Sequence, residues 1–278
     1  MSLSEQRIKE LDSLCRAFRI DVLTALHKVQ TGHPGGSLSV CEILAVIFFE
    51  KAATDADNPN WESRDRIVLS KGHAAPMLYA VLAEKGFFPK EDLLSLRQYG
   101  SHLQGHVCAT HTPGVDASTG PLGIGYPNAL GMALGIKLDK KDNYVYAILG
   151  DGECNEGVVW EAAMSANKYK ADNLITIIDH NGVQLDGTTD EIMPLLDLGA
   201  KFQSFGFHIV ECDGNDVGSV SDAIDEAKTV KGKPSVIIAR TVKGKGVSFM
   251  EGKSAYHGKA ISDEEFELAM QELKRGDM

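Results

Sequence analysis

Apolar residues along the chain fall into two spacings. Leu3, Ile8, Leu11, Leu14, Cys15, Phe18, Val22, Leu23 and Leu26 recur at three- and four-residue steps, which predicts an amphipathic helix over residues 3–30. It stops before Thr31-Gly32-His33-Pro34-Gly35-Gly36-Ser37, where glycine and proline predict a loop. Ser37 or Ser39 is placed to cap the next helix, which reaches about Lys51. Short apolar runs over residues 66–69, 144–149, 174–178, 207–210 and 235–239 predict strands. Helical patterns lie between them, over about 75–85, a short stretch from Phe88, Gly125 to about Lys137, 157–169, 194–205 and 216–231. An acidic amphipathic helix covers 263–275. Residues 54–63 and the irregular stretch from Tyr99 to Thr119 predict loops, and loops as long as the second often carry function. Strands alternating with helices imply βαβ units. The fold class is α/β, with a mainly parallel central sheet and helices on both faces. No repeat, low-complexity tract or linker divides residues 1–278, so the pattern predicts a single domain.

Composition narrows the function classes. With 43% apolar and 24% charged residues in 278, a large buried core is expected. The net charge of −11 argues against a nucleic-acid surface. The longest apolar run, Ile43 to Phe49, is far short of the ~18 residues of a membrane span. The N-terminus, Met1 to Arg7, lacks the pattern of a signal peptide. Five cysteines without paired spacing (Cys15, Cys41, Cys108, Cys154 and Cys212) point to a reducing cytoplasm and to small packing residues.

The candidate chemistry lies at the strand ends. The run 144–149 delivers the chain to Gly150-Asp151-Gly152-Glu153-Cys154-Asn155-Glu156-Gly157, and the run 174–178 delivers it to Asp179-His180-Asn181-Gly182-Val183. Ligands of open α/β sheets bind beyond the carboxyl ends of the strands. Asp151 offers a carboxylate oxygen there, Asn181 an amide oxygen and Val183 a backbone carbonyl, a set suited to magnesium. Gly152 lets a backbone N–H approach a phosphate, and the helix starting near Gly157 adds its dipole. Ser70-Lys71-Gly72-His73 and the segment from Lys243 to His257 also follow predicted strands and can converge on the same place. Glycines among lysines after Arg240 predict a mobile, cationic loop. A lone Gly-Asp-Gly or Asn-Gly is an ordinary turn, and Glu156 and Glu161 taken singly are first-turn acids. The whole string is what points to a magnesium–diphosphate site.

That string resembles the thiamine-diphosphate-binding motif. Gly32-His33-Pro34-Gly35-Gly36, Ser70-Lys71-Gly72-His73, Thr119-Gly120-Pro121-Leu122-Gly123 and Tyr256-His257-Gly258 resemble transketolases in particular, and the five motifs fall in the family's order between about residues 10 and 260. The resemblance implies the diphosphate-binding (PP) domain of the thiamin diphosphate-binding fold. It implies thiamine diphosphate and Mg2+ (or Ca2+ or Mn2+) as cofactors, with Asp151, Asn181 and Val183 as metal ligands. His73, Gly120, Pro121, Leu122, Gly152, Asn181, Leu185 and His257 match cofactor contacts. His33, His106 and His257 match histidines around the reacting sugar. Glu156 and Glu161 match acids that link the two active sites of a dimer. His102, His111 and His208 are expected to be structural or solvated, and His180 not to bind the metal.

Transketolases are longer, with a pyrimidine-binding domain and a C-terminal domain that residues 1–278 do not supply. The resemblance therefore implies the N-terminal subunit of a split transketolase. In an α2β2 heterotetramer with a C-terminal subunit, it would work on sugar phosphates. Where the family has His-Pro-Glu, this chain reads His106-Val107-Cys108, which leaves the sugar open, apulose phosphate and sulfo-sugars included. The alternatives are deoxyxylulose-phosphate synthase, a 2-oxoacid dehydrogenase component and a non-catalytic diphosphate-binding regulatory subunit.

Overall fold

A computed structural model describes residues 2–275. Five strands form one sheet: β1 (Arg66–Leu69), β2 (Val145–Gly150), β3 (Leu174–His180), β4 (His208–Asp213) and β5 (Ser235–Arg240). All pairs are parallel, in the order β1-β2-β3-β5-β4. Side chains of a strand alternate between its faces. Ile67, Tyr146, Ile148, Ile175, Ile177, Ile237 and Ala239 enter one core, and Val68, Ala147, Leu149, Leu174, Ile178, Val236 and Ile238 enter another. Both faces are apolar because both are covered, which is why these strands read as near-continuous hydrophobic runs.

The first core is closed by α1 (Glu5–Val29), α2 (Pro34–Ser39), α3 (Cys41–Val46) and α4 (Ala75–Glu84). The second is closed by α5 (Gly125–Leu138), α6 (Gly157–Lys168) and, after the short α7 (Thr189–Ile192), by α8 (Leu198–Ser204). Helices α9 (Val217–Thr229) and α10 (Asp263–Arg275) return to the first core, α10 through Ala269, Met270 and Leu273. Among the described residues no helix is long and apolar enough to cross a membrane.

The structure departs from the sequence expectations at several places. The Pro34-Gly35-Gly36 segment is helical, not a loop, because Pro34 stands at the first helical turn, where its missing N–H costs nothing. Ser37 and Ser39 cap no helix: their hydroxyls donate to His33 O (2.7 Å) and Asp179 Oδ2 (2.6 Å). β3 runs on to His180 and β4 to Asp213. The helix expected over 194–205 begins only at Leu198, where the Asp197 carboxylate accepts the Ala200 N–H at 2.8 Å. The segment after β5 is tied down, with Lys243, Val247 and Met250 buried and Gly244 N–H donating to Gly35 O at 3.0 Å. Cys108 is not a packing residue. It is half-exposed, and hydrogen bonds from Thr110 and His111 push its thiol down to about 6.

Candidate functional site

The carboxyl ends of β1, β2, β3 and β5 open onto one cavity of about 280 Å³. Register explains the convergence. Gly150 pairs with Asp179 and His180 with Arg240, so the residues that follow leave the sheet side by side.

Asp151 is buried, with Oδ1 accepting the Gly152 N–H at 2.7 Å and Oδ2 accepting the Gly182 N–H at 2.6 Å. Burial pushes its carboxyl upward, Asp179 adds to the shift, and the two N–H bonds oppose it. A cation would relieve that burden. Asn181 Oδ1 accepts the Val183 N–H at 3.1 Å, a local turn that Gly182 permits with φ +72°. The Val183 carbonyl already faces a positive charge, because Lys243 Nζ donates to it at 3.1 Å. The same ammonium donates to Gln184 O at 3.0 Å and lies 3.0 Å from His257 Nδ1. Burial among these groups lowers Lys243 to about 8, with Lys71 repelling it further.

Beneath this lies Asp179, fully buried at the end of β3. Its carboxylate accepts from Lys71 Nζ, Ser39 Oγ, Thr241 Oγ1 and Asn181 Nδ2. One acid thus joins the chain after β1, helix α2, the chain after β5 and the Asn181 turn. Glu153, also buried, does similar work on the other side. Its oxygens accept from Ser70 Oγ, from Gly123 N (2.7 Å) and from Gly150 N (3.1 Å), fixing the 119–123 loop to the end of β2.

Four imidazoles close the cavity. His33 stands 5.5 Å from His73 and from His257 and 5.7 Å from His106, centroid to centroid. Burial is the first cause that lowers all four. His33 falls to about 4 and His257 to about 3, with neighbouring cations adding to the effect. His73, beside Lys71, lies well below the ordinary range, and His106 is lowered less. All four are neutral near pH 7. His257 Nδ1 accepts from Lys243, which leaves the ring proton on Nε2 as a donor. His33 Nδ1 is buried and has no hydrogen-bond partner among the described residues.

The family model for transketolase, thiamine diphosphate binding domain, matches residues 11–275. The chain belongs to the transketolase family. It is 45% identical to the 6-deoxy-6-sulfo-D-fructose transketolase subunit of Clostridium sp. (strain MSTE9), over 98% of this chain and 99% of that protein. It is 42% identical to one of the apulose-4-phosphate transketolase subunits of Actinobacillus succinogenes, over 95% and 96%. The crystal structure of transketolase from Campylobacter jejuni superposes with a TM-score of 0.89 at 32% identity, over 98% of this chain but only 43% of that one.

Of the residues expected in the transketolase site, His33, His73, His106, Gly120, Leu122, Asp151, Gly152, Asn181, Val183, Leu185 and His257 all line the cavity. Pro121, Glu156 and Glu161 do not; they are exposed outside it. The expectation for Gly152 changes in detail, since its N–H is taken by Asp151. Lys71, Lys243, Gln184 and Gly36 also line the cavity, beyond the contacts expected from the sequence. The lysines lie in motifs whose histidines draw the eye first. His102 and His208 pair with Asp92 and Glu226, as structural residues.

The walls suit a diphosphate ester. A Cβ at Gly36 would stand 3.0 Å from His73 Nε2, one at Gly120 3.3 Å from His106 Cγ, and one at Gly152 2.9 Å from Gln184 Cγ. Glycine keeps these walls back. The all-oxygen donors Asp151, Asn181 and Val183 fit a hard divalent cation.

Proposed function

We propose that this chain is the diphosphate-binding subunit of a split transketolase. With a second subunit that carries the pyrimidine-binding domain, it transfers a two-carbon ketol unit from a ketose bearing an anionic tail to an aldose. The observation that carries this reading is the meeting of three oxygen donors, two lysines and four histidines in one cavity at the strand ends. Relatives matched end to end, and themselves named as subunits, support the split. So do the exposed apolar side chains Leu122, Ile124, Leu185, Ile192, Met193 and Leu196, at the cavity rim and on the segment beyond Leu185, which suit cover by a partner. One partner for each cavity makes the stoichiometry one to one, and the resemblance to dimeric transketolases makes the proposed assembly α2β2. Glu156 and Glu161, exposed outside the cavity, would then meet the partner or its twofold mate. The free cysteines accord with a reducing cytoplasm.

Asp151, Asn181 and the Val183 carbonyl would hold magnesium, or Ca2+ or Mn2+ in its place. His73 would face the diphosphate, Lys243 would turn to it on leaving the Val183 carbonyl to the cation, and Gly120, Leu122 and Leu185 would line the cofactor's flank. When bound, thiamine diphosphate supplies the electron sink for the carbon–carbon cleavage. His257 donates from Nε2. Neutral His33 would accept or return a substrate hydroxyl proton, and His106 borders the sugar. The 45% relative favours a sulfonated ketose as a second reading of the sugar.

The test is reconstitution. The isolated chain is expected to show no ketol transfer, and the complex with its C-terminal subunit to show it. Turnover by the chain alone would refute the split. Asp151→Ala should abolish magnesium-dependent cofactor binding by the complex in calorimetry; unchanged affinity would remove the metal assignment.

A further inference from the structure

Beside His106 stands a cation that, among the described residues, has no acidic partner. Arg97 follows the helical turn Lys90–Ser95 and has a backbone φ of 62°, the left-handed region that non-glycine residues seldom enter. Its N–H donates to Leu103 O at 2.9 Å, which pins the loop in that shape. The side chain lies over Gly105. A Cβ there would stand 3.0 Å from Arg97 Cζ and 3.2 Å from Nε and Nη1. Gly105 therefore admits the guanidinium to this position. The next residue is His106, which lines the cavity, and the charge of Arg97 acts on both His106 and His33.

Among the described residues no carboxylate or carbonyl accepts a hydrogen bond from the Arg97 side chain, whereas Arg7, Arg19, Arg64 and Arg240 each pair with an acid. The cavity's own cations are engaged: Lys71 with Asp179, and Lys243 with Val183, Gln184 and His257. On the His106 side, Arg97 is left to meet an anion from outside the chain. Its planar fork of donors matches a tetrahedral oxyanion. A sugar lying against His33 and His106 would turn its far end toward it.

We propose that Arg97 binds the oxyanion at the end of the sugar remote from the reacting carbonyl, a phosphate or a sulfonate. This rests on the ketol-transfer reading above. It makes Arg97 a determinant of substrate choice on the diphosphate-binding subunit itself.

The experiment uses the reconstituted complex and three ketoses of one length, carrying a terminal phosphate, a terminal sulfonate or no charge. Wild-type preference between the first two names the source of the anion. Arg97→Met is expected to lower the ratio of kcat/KM for the preferred anionic ketose to that for the uncharged one by about tenfold or more, through KM, the loss of one charge-assisted contact. Arg97→Lys should recover part of it. Calorimetry of thiamine diphosphate binding shows that the variants remain intact. Equal losses on charged and uncharged ketoses, or no loss, overturn the assignment of Arg97 alone. A wild-type complex that transfers no ketol unit from any ketose overturns the functional reading and Arg97 with it.

Discussion

At the residue scale, the site depends most on a side chain that need touch no ligand. Asp179 balances the buried Lys71 ammonium while holding Ser39 and Thr241. Removing one member of a buried pair leaves an uncompensated charge, at a cost of roughly 3–5 kcal/mol. Asp179→Ala should lose about that much in urea unfolding. Lys71→Met combined with Asp179→Ala should lose less than those two single variants summed; an additive result would show that the pair is uncoupled. Asp151 and Asn181 are legible in the sequence because glycines flank them at strand ends. Asp179 is not. It closes an apolar strand, and its partner lies 108 residues away, a distance no periodicity spans. Lys243 is hidden in the same way, since a lysine among glycines reads as solvated until its burial is known.

At the element scale, the cavity wall depends on how closely the end of β1 approaches the 119–123 loop. A Cβ at Gly72 would stand 2.6 Å from Thr119 Oγ1 and 2.9 Å from the Gly120 nitrogen. Backbone cannot yield as a side-chain tip does. Gly72→Ala should therefore push the loop outward, destabilise by about 1–3 kcal/mol in thermal unfolding and weaken cofactor binding in calorimetry. Gly131, inside α5, has open space around its Cβ position. Gly131→Ala should instead stabilise by about 0.5–1 kcal/mol. Long periodic elements such as α1 and α9 are legible from spacing alone. Helix α2 is hidden because proline and two glycines look like a break, although proline at the first turn starts a helix. The four-residue α7 is too short for periodicity. Its signal is the capping box of Thr188 and Glu191.

At the scale of the whole molecule, the buried imidazoles set a pH dependence of stability. Their folded values lie below the ordinary 6.5, at about 4 for His33 and about 3 for His257. Between those limits the unfolded chain holds more protons, so stability rises with pH and is lost on acidification below about 6.5. The melting temperature should fall from pH 6.5 toward pH 4, and less steeply in a His33→Gln, His257→Gln double variant. Asp151 and Glu153, raised by burial, act in the opposite sense, so the difference between the two proteins isolates the imidazoles. Parallel profiles would remove this account. The layered α/β class is legible from alternating strands and helices. The strand order is not, because alternation predicts parallel neighbours without saying which ones.

That order has a consequence for how the chain is made. β5 is the last strand in sequence, yet it lies between β3 and β4. While the ribosome is still short of residue 235, β3 has one bare edge, and β4 has no neighbour at all. A nascent chain at that stage leaves bare the two strand edges that β5 will later cover, the kind of surface that attracts foreign strands. Entry of β5 pairs those two edges in one step, brings Thr241 to Asp179 and brings Lys243 to the cavity. The sheet and this chain's share of the site thus both wait on the last of the five strands.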